Sequence, residues 1–440
     1  MKSIDKLKRL TGEAAAPRKT EPAGPVCAAS EKQEQLNDLR RRIDNVVARR
    51  AAGSRAAQEE ARLRGNRGLL ELLEGEEKEN DYGRFFLKSV FLPGASRHGY
   101  RNLREVSEPD MTAAALLAGN AAIGGFSFSD ALFLDTETTG LAGGTGTMAF
   151  LIGLGWFEDN RFQVQQILAR DFSEEAAALA CLRDIARQKK FLVTFNGKAF
   201  DVNLLSARFI LNRLPYDPAG LPHLDLLHPA RRLLGHRLEN CRLATLEADV
   251  LGVRREGDIP GWEIPQRYFD WLRRRDPRLL CDIFEHNRLD IVSMATLTAH
   301  LVDIVTAQIL REQAHPDDYL AAAGLLLQRT HPAGAQKILD LLREDAGADF
   351  SPASKQKLAQ LCKRTGRLED AVCLWREMAE CNPAGFYPVT ELAKYLEHRA
   401  KRRAEAAALI ESALAAGRAF SEKEREALEH RLQRLLRKDV

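Results

Sequence analysis

Residues 132–141 spell LFLDTETTGL, an apolar run that ends in acids. The run has the composition of a buried strand, and Asp135 and Glu137, two apart on a strand, share one face. Two carboxylates about 4 Å apart repel by about 4 kcal/mol at an effective dielectric near 20. A divalent cation between them removes that cost; a strand edge whose acids face water is the plainer alternative. Working outward, MAFLIGLGWF (148–157) and RFQVQQILA (161–169) read as two more strands, joined by a turn at Glu158, Asp159 and Asn160. Helical spacing runs from Glu174 to Gln188, with Ser173 as the expected N-cap. FLVTFN (191–196) is a fourth strand, residues 199–212 a helix, and HLDLL (223–227) a fifth strand; beyond it the pattern is helical. The order β-β-β-α-β-α-β predicts an α/β domain over residues 131–310, a mixed five-stranded sheet with flanking helices.

Two further segments carry chemistry. In FNGKAFDVNLL (195–205) a strand ends at Phe195, Asn196 and Gly197 turn, and Asp201 opens the next helix. An acid there is favoured by the helix dipole, and it is also where open α/β sheets place ligand-binding groups. In FEHNRLDIVSM (284–294) His286 and Asp290 lie four apart on a helix and share a face, as a surface pair also would.

Taken together and in this order, DTETTG, NGKAFD and HNRLD resemble the three motifs of the DEDD (DnaQ-like) exonucleases, which have the ribonuclease H-like fold. The resemblance covers residues 130–302. It implies that Asp135, Glu137, Asp201 and Asp290 hold two Mg²⁺ or Mn²⁺ ions, and that His286 stands in the place of the general base. It further implies that Leu141 packs on a terminal base; Thr136 is a candidate for substrate contact, and Asn196 for fixing either the substrate or the geometry of the second motif. One feature departs from the pattern. The base precedes the last acid by five positions in the histidine branch and by four in the tyrosine branch; here a histidine stands at four. The longer strings DTETTGLAGGTGT, FNGKAFD and HLDLLHPARRL resemble bacterial ribonuclease H-like proteins with a C-terminal tetratricopeptide-like tail, described as predicted exonucleases. A two-metal, 3′–5′ exonuclease acting on DNA or RNA is the implied activity.

The rest of the chain bounds that expectation. It has 440 residues, 65 basic and 62 acidic, for a net charge of +3, so any basic footprint for nucleic acid must be local. Residues 1–80 are polar, with nine arginines against three acids between Arg40 and Arg67; a basic arm on a phosphate backbone and a solvated, partly helical tail both fit. A short β/α lead-in is expected over residues 81–130. Residues 317–440 resemble tetratricopeptide-type repeats, with Ala359 and Ala393 at the 34-residue offset, Pro383 and Gly417 as stops, and a weaker unit around Ala323 and Ala335. A protein partner on these repeats is expected, and a scaffold role with a weakly active or inactive nuclease-like domain is the alternative function. Seven cysteines without a Cys-x-x-Cys pair predict reduced thiols in a cytoplasmic protein. The longest apolar stretch, 148–157, is too short to span a membrane.

Some candidates are weaker. The glycines of AGGTG (142–146) lack the Gly-Lys-Ser/Thr of a nucleotide loop. His223, Asp225, His228 and His236 read as a strand followed by a basic helix, with Arg231, Arg232 and Arg237 near a nucleic-acid groove and Arg273, Arg274 and Arg275 as a second basic run. Glu247 and Asp258 are acids without an assigned role.

Overall fold

The computed structural model describes residues 55–140, 146–308, 315–344, 350–382, 385–416 and 420–437. Residues 55–64 belong to one compact unit, and the described residues from Gly65 onward form a second. Most of the expected basic arm, Leu141, most of the 142–146 glycine segment, Pro383 and Gly417 lie outside the described residues. A first helix, α1, covers Arg55–Leu73 and buries Leu69 and Leu73.

A seven-stranded sheet forms the centre of the second unit. Its spatial order is β1 (Glu76–Asn80), β2 (Gly83–Pro93), β7 (Arg161–Leu168), β6 (Ala149–Glu158), β5 (Ala131–Thr138), β8 (Phe191–Thr194) and β9 (His223–Asp225). β5, β8 and β9 run parallel; the other pairings are antiparallel. The five expected strands are all present, and β1 and β2 extend the antiparallel edge. Their hairpin turns at Gly83, whose φ of +124° suits glycine. Phe85, Phe86 and Leu87 then sink into the core and β2 pairs with β7. A small hairpin, β3 (Arg97–His98) and β4 (Arg101–Asn102), follows.

Seven helices complete this part: α2 (Met111–Ala118), α3 (Glu175–Ala186), α4 (Asp201–Leu211), α5 (Leu227–Leu234), α6 (Leu243–Leu246), α7 (Ile264–Arg274) and α8 (Arg278–Thr306). α2 is capped by the Asp110 carboxylate, which accepts the Thr112 and Ala113 N–H groups, and it ends at left-handed Gly119. The cap expected from Ser173 belongs instead to Asp171: a 3₁₀ turn over Phe172–Glu174 precedes α3, and the Asp171 carboxylate accepts the Ser173 N–H at 3.0 Å.

The sheet separates two cores. On one face Leu132, Leu134, Ile152 and Ile167 meet α1, α3, α4 and α7. On the other Ala131, Phe133, Phe162 and Val193 meet α2, α5 and most of α8. α8 joins the first core through Leu280, Ile283 and Phe284 and the second from Ile291 onward. It is long and apolar enough to cross a membrane, but 78% of that apolar window is buried in the protein. Two glycines let it come close: a Cβ on Gly153 would stand 2.2 Å from the Asn287 side chain, and one on Gly155 2.5 Å from Ile291.

The chain then continues as α9 (Pro316–Gln328), α10 (Pro332–Glu344), α11 (Pro352–Arg364), α12 (Leu368–Cys381), α13 (Phe386–His398), α14 (Arg403–Ala416) and α15 (Glu422–Arg437). α9 packs on α10 and, past it, on α11; from α11 onward each helix packs on the next, and α9 also packs on α5 and α8. Ala323, Ala335, Ala359 and Ala393 are fully buried where these helices meet, since a methyl side chain lets backbones approach. One core therefore runs from the sheet to Leu435. The described cysteines are all free thiols; burial pushes Cys181 up to about 12 and Cys362 up to about 11.

Candidate functional site

The site lies where the parallel strands end and α8 passes from one core to the other. β5 holds Asp135 opposite Gly153 and Glu137 opposite Leu151, so both acids leave the sheet on the face of Ala131 and Phe133. The register shifts between Glu137 and Thr138, which ends the regular pairing at the site. Space over Gly153 admits Asn287, which is fully buried and donates through Nδ2 to Asp135 Oδ2 at 2.8 Å. The same amide takes a hydrogen bond on its oxygen from Gln166 at 3.0 Å.

Asp201 comes from the next parallel strand. β8 ends at Thr194, and Asn196 adopts φ +66°, a conformation asparagine tolerates. The loop is tied down by Asp225, whose carboxylate accepts the backbone N–H of Asn196 at 2.7 Å, of Lys198 at 3.0 Å and of Leu227 at 3.1 Å. Asp201 then opens α4 and accepts the Thr136 hydroxyl at 2.5 Å. That bond joins the first and second motifs and commits the Thr136 hydroxyl to Asp201. His223, beside Asp225 in sequence, meets Thr194 at 2.7 Å. The Asp225 carboxylate and the His223 imidazole thus organise the loop.

Asp290 and His286 project from α8 one turn apart, with His286 Nε2 3.7 Å from Asp290 Oδ2. Asp290 Oδ1 accepts a hydrogen bond from Arg255 Nη2. Arg255 is nearly buried, 7% exposed, and bridges three acids: Nε donates to Glu247 Oε2 at 2.7 Å, Nη1 to Asp258 Oδ2 at 3.2 Å, and Nη2 reaches both Glu247 and Asp290. Glu247 also accepts the Ser293 hydroxyl, which meets His98 Nε2 at 2.7 Å.

The four acids act on one another electrostatically. Burial pushes the Asp135 carboxyl well above the ordinary range, and Asp290 and Asp201 push the same way. Glu137 is raised well above its range by burial and then by Asp135, Asp290, Asp201 and Asp258. Asp201 is raised by burial to about 6, against hydrogen bonds that favour its charged form. The cluster is short of positive charge, with Arg255 on Asp290 as its nearby cation. Its donors toward a metal are all carboxylate oxygens, the set that suits Mg²⁺ or Mn²⁺. The residues present fit the implied ions.

Four of the neighbours named here, Asn287, Arg255, Glu247 and Asp258, carried no assignment from sequence. Their signal was faint: an arginine flanked by acids eight residues before and three after, in a segment with few apolar residues. Two basic residues expected near a groove are placed elsewhere. Arg237 forms a double hydrogen bond with Asp318, whose side chain is fully buried. Arg275 donates to the Arg170 carbonyl at 3.1 Å and stacks on Trp271, so it closes the end of α7. In each case a buried acceptor outcompetes solvent for the guanidinium. Elsewhere, His236, His315 and Asp317 bring ligand atoms within 4.8 Å of one another. His315 Nδ1 already accepts the Asp317 N–H as a helix cap, and His236 Nε2 lies 3.2 Å from Asp318, so both rings have partners.

Residues 132–302 match the RNase H superfamily. The chain is also 34% identical over 358 residues, 80% of its own length and 86% of the other's, to a Bacillus subtilis (strain 168) protein named Uncharacterized protein YprB.

Proposed function

The chain belongs to the family of that Bacillus protein and carries an RNase H superfamily domain, and from this premise we propose that it is a divalent-metal-dependent 3′–5′ exonuclease of the DEDD type, hydrolysing phosphodiester bonds of DNA or RNA. The observation that carries the reading is the convergence of Asp135, Glu137, Asp201 and Asp290 from β5, α4 and α8 on one half-buried, mutually repelling cluster. Those four carboxylates would hold two Mg²⁺ or Mn²⁺ ions, which when bound activate a water and stabilise the attacking and leaving oxygens.

The protein's own groups do the rest. Asn287 fixes Asp135 through its amide, Thr136 fixes Asp201 through its hydroxyl, and Arg255 holds one oxygen of Asp290. His286 is the base in this reading and takes the water's proton at Nε2, the ring nitrogen that faces Asp290. Thr136, Leu141 and Asn196 are assigned to the substrate strand, Thr136 through its backbone because its hydroxyl is occupied. The helical region is read as tetratricopeptide-type repeats that carry a protein partner. In support, its alternate helices begin at Pro316, Pro352 and Phe386, spacings of 36 and 34 residues. A cytoplasmic setting belongs to the same proposal.

The test is incubation of the purified protein with end-labelled single-stranded DNA and RNA and Mg²⁺ or Mn²⁺, beside lanes with EDTA and with Asp135→Asn. A ladder shortening from the 3′ end, absent with EDTA and in the variant while its circular dichroism is unchanged, is expected. Equal cleavage by variant and wild type, or no cleavage by the wild type, overturns the reading.

A further inference from the structure

The departure in spacing that sets His286 four residues before Asp290 raises the question of what aims its ring. The answer lies in a segment outside the three motifs. After Gly252, which closes the preceding turn at φ +71°, the chain is pinned by the Val253 N–H on the Glu247 carbonyl at 2.8 Å and by the buried side chain of Ile259. Between those anchors Asp258 divides its two oxygens. Oδ1 stands 2.7 Å from His286 Nδ1, and Oδ2 accepts from Arg255 Nη1 at 3.2 Å.

We propose that Asp258 is the positioning residue of this site: it takes the proton-bearing Nδ1 of His286 and so turns Nε2, with its lone pair, toward the carboxylate cluster. The proposal rests on the nuclease reading in so far as Nε2 is to accept a proton there. A ring nitrogen 2.7 Å from a carboxylate oxygen must carry a hydrogen, because two lone pairs at that distance repel. The neutral ring has one hydrogen to place, so Nε2 is the acceptor. Arg255 Nη1 also lies 3.3 Å from Nδ1. As a donor it favours the opposite tautomer, and Asp258 prevents that by offering the shorter contact and by taking the guanidinium on its other oxygen. Glu247, almost wholly buried and doubly bonded to Arg255, keeps the arginine from following the ring. The inference concerns where the hydrogen sits on a neutral ring, a matter of orientation.

The consequence is specific. Without the Asp258 carboxylate, Arg255 is left as the partner of Nδ1, and the ring inverts to the Nε2–H form, which cannot accept a proton at the cluster. The experiment uses the full-length metal-free protein labelled with ¹⁵N-histidine, at about pH 9. The His286 ring is assigned by its loss in His286→Gln. Two-bond ¹⁵N–¹H correlation is expected to show Nδ1–H in the wild type and Nε2–H in Asp258→Ala. Asp258→Asn, whose amide oxygen can still accept, should restore Nδ1–H. On a labelled strand with Mn²⁺, Asp258→Ala should lower kcat by roughly 10- to 100-fold, in the range that orienting partners command, with KM within about threefold, and Asp258→Asn should recover most of it. An unchanged tautomer in Asp258→Ala, or a kcat within about twofold of wild type, overturns the proposal. If the wild type cleaves nothing the nuclease reading falls, while the tautomer still decides what Asp258 does to the ring.

Discussion

At the scale of single residues the site is an arrangement of charges that oppose folding. Asp201 titrates at about 6 in the folded protein against an ordinary 3.8, chiefly through burial. Its proton is therefore held more tightly in the folded state than in the unfolded one. The stability it contributes is full below about pH 4 and is lost as pH rises through about 6. Asp201→Asn removes that loss and keeps an oxygen for the Thr136 hydroxyl. In EDTA the variant should unfold at nearly the wild-type urea concentration at pH 4 and be more stable by about 1–3 kcal/mol at pH 8; a difference that does not change with pH contradicts this origin. The acids of the cluster, Asp135, Glu137, Asp201 and Asp290, were legible in the sequence because their order and spacing form a motif. Asn287, Arg255, Glu247 and Asp258 were not. Each is a common residue type whose burial and partner depend on chain segments 28 to 152 positions away, and no local pattern encodes such a contact.

At the scale of elements, the placement of α8 on β6 decides whether the acids meet. The strands β5 to β9 were plain from their apolar runs, with ends one or two residues off, whereas β1, EEKEN, has no apolar residue to show it. What did not show is why MAFLIGLGWF holds two glycines: at that distance from α8 any side chain would displace Asn287 or Ile291. Gly153→Ala puts a methyl into the Asn287 amide, which must swing away from Asp135 and carry this turn of α8 with it. We expect a stability loss of about 1–3 kcal/mol by urea melt, in the range of overpacked cores, and at least a tenfold fall in kcat. Gly324→Ala is the control. It lies within α9 with nothing within 4 Å of its new methyl, and should leave activity unchanged and stability equal or slightly raised. If both variants behave alike, close approach is not the reason for the glycine.

At the scale of the whole molecule, three buried neutral histidines make the fold sensitive to acid. Burial lowers His98 and His223 to about 4 and His300 to about 3. The unfolded chain takes up these protons near 6.5 while the folded protein refuses them. Stability from these groups is complete above 6.5 and is lost as pH falls to between about 4 and 3. His300 also leaves its Nε2 without a hydrogen-bond partner, so His300→Leu should flatten the fall in unfolding free energy between pH 6.5 and 4, followed by urea melts, by roughly 2–3 kcal/mol; an unchanged slope places the acid sensitivity elsewhere.

The double bond between Arg237 and Asp318 has a mechanical meaning. Arg237 follows α5, whose strand and loop position Asp201, and Asp318 sits in the first turn of α9. The seam holds a buried charge pair whose breakage would strand Asp318 without solvent, typically a loss of about 3–5 kcal/mol. The helical region is accordingly an arm and not a tether. A flexible tether presents its cargo as a local concentration that falls with length; an arm presents it at one reach and one angle. On the reading proposed above, a partner carried by the last seven helices would meet the carboxylates in a single register, and lengthening a loop in the arm would change where that partner arrives, not how often.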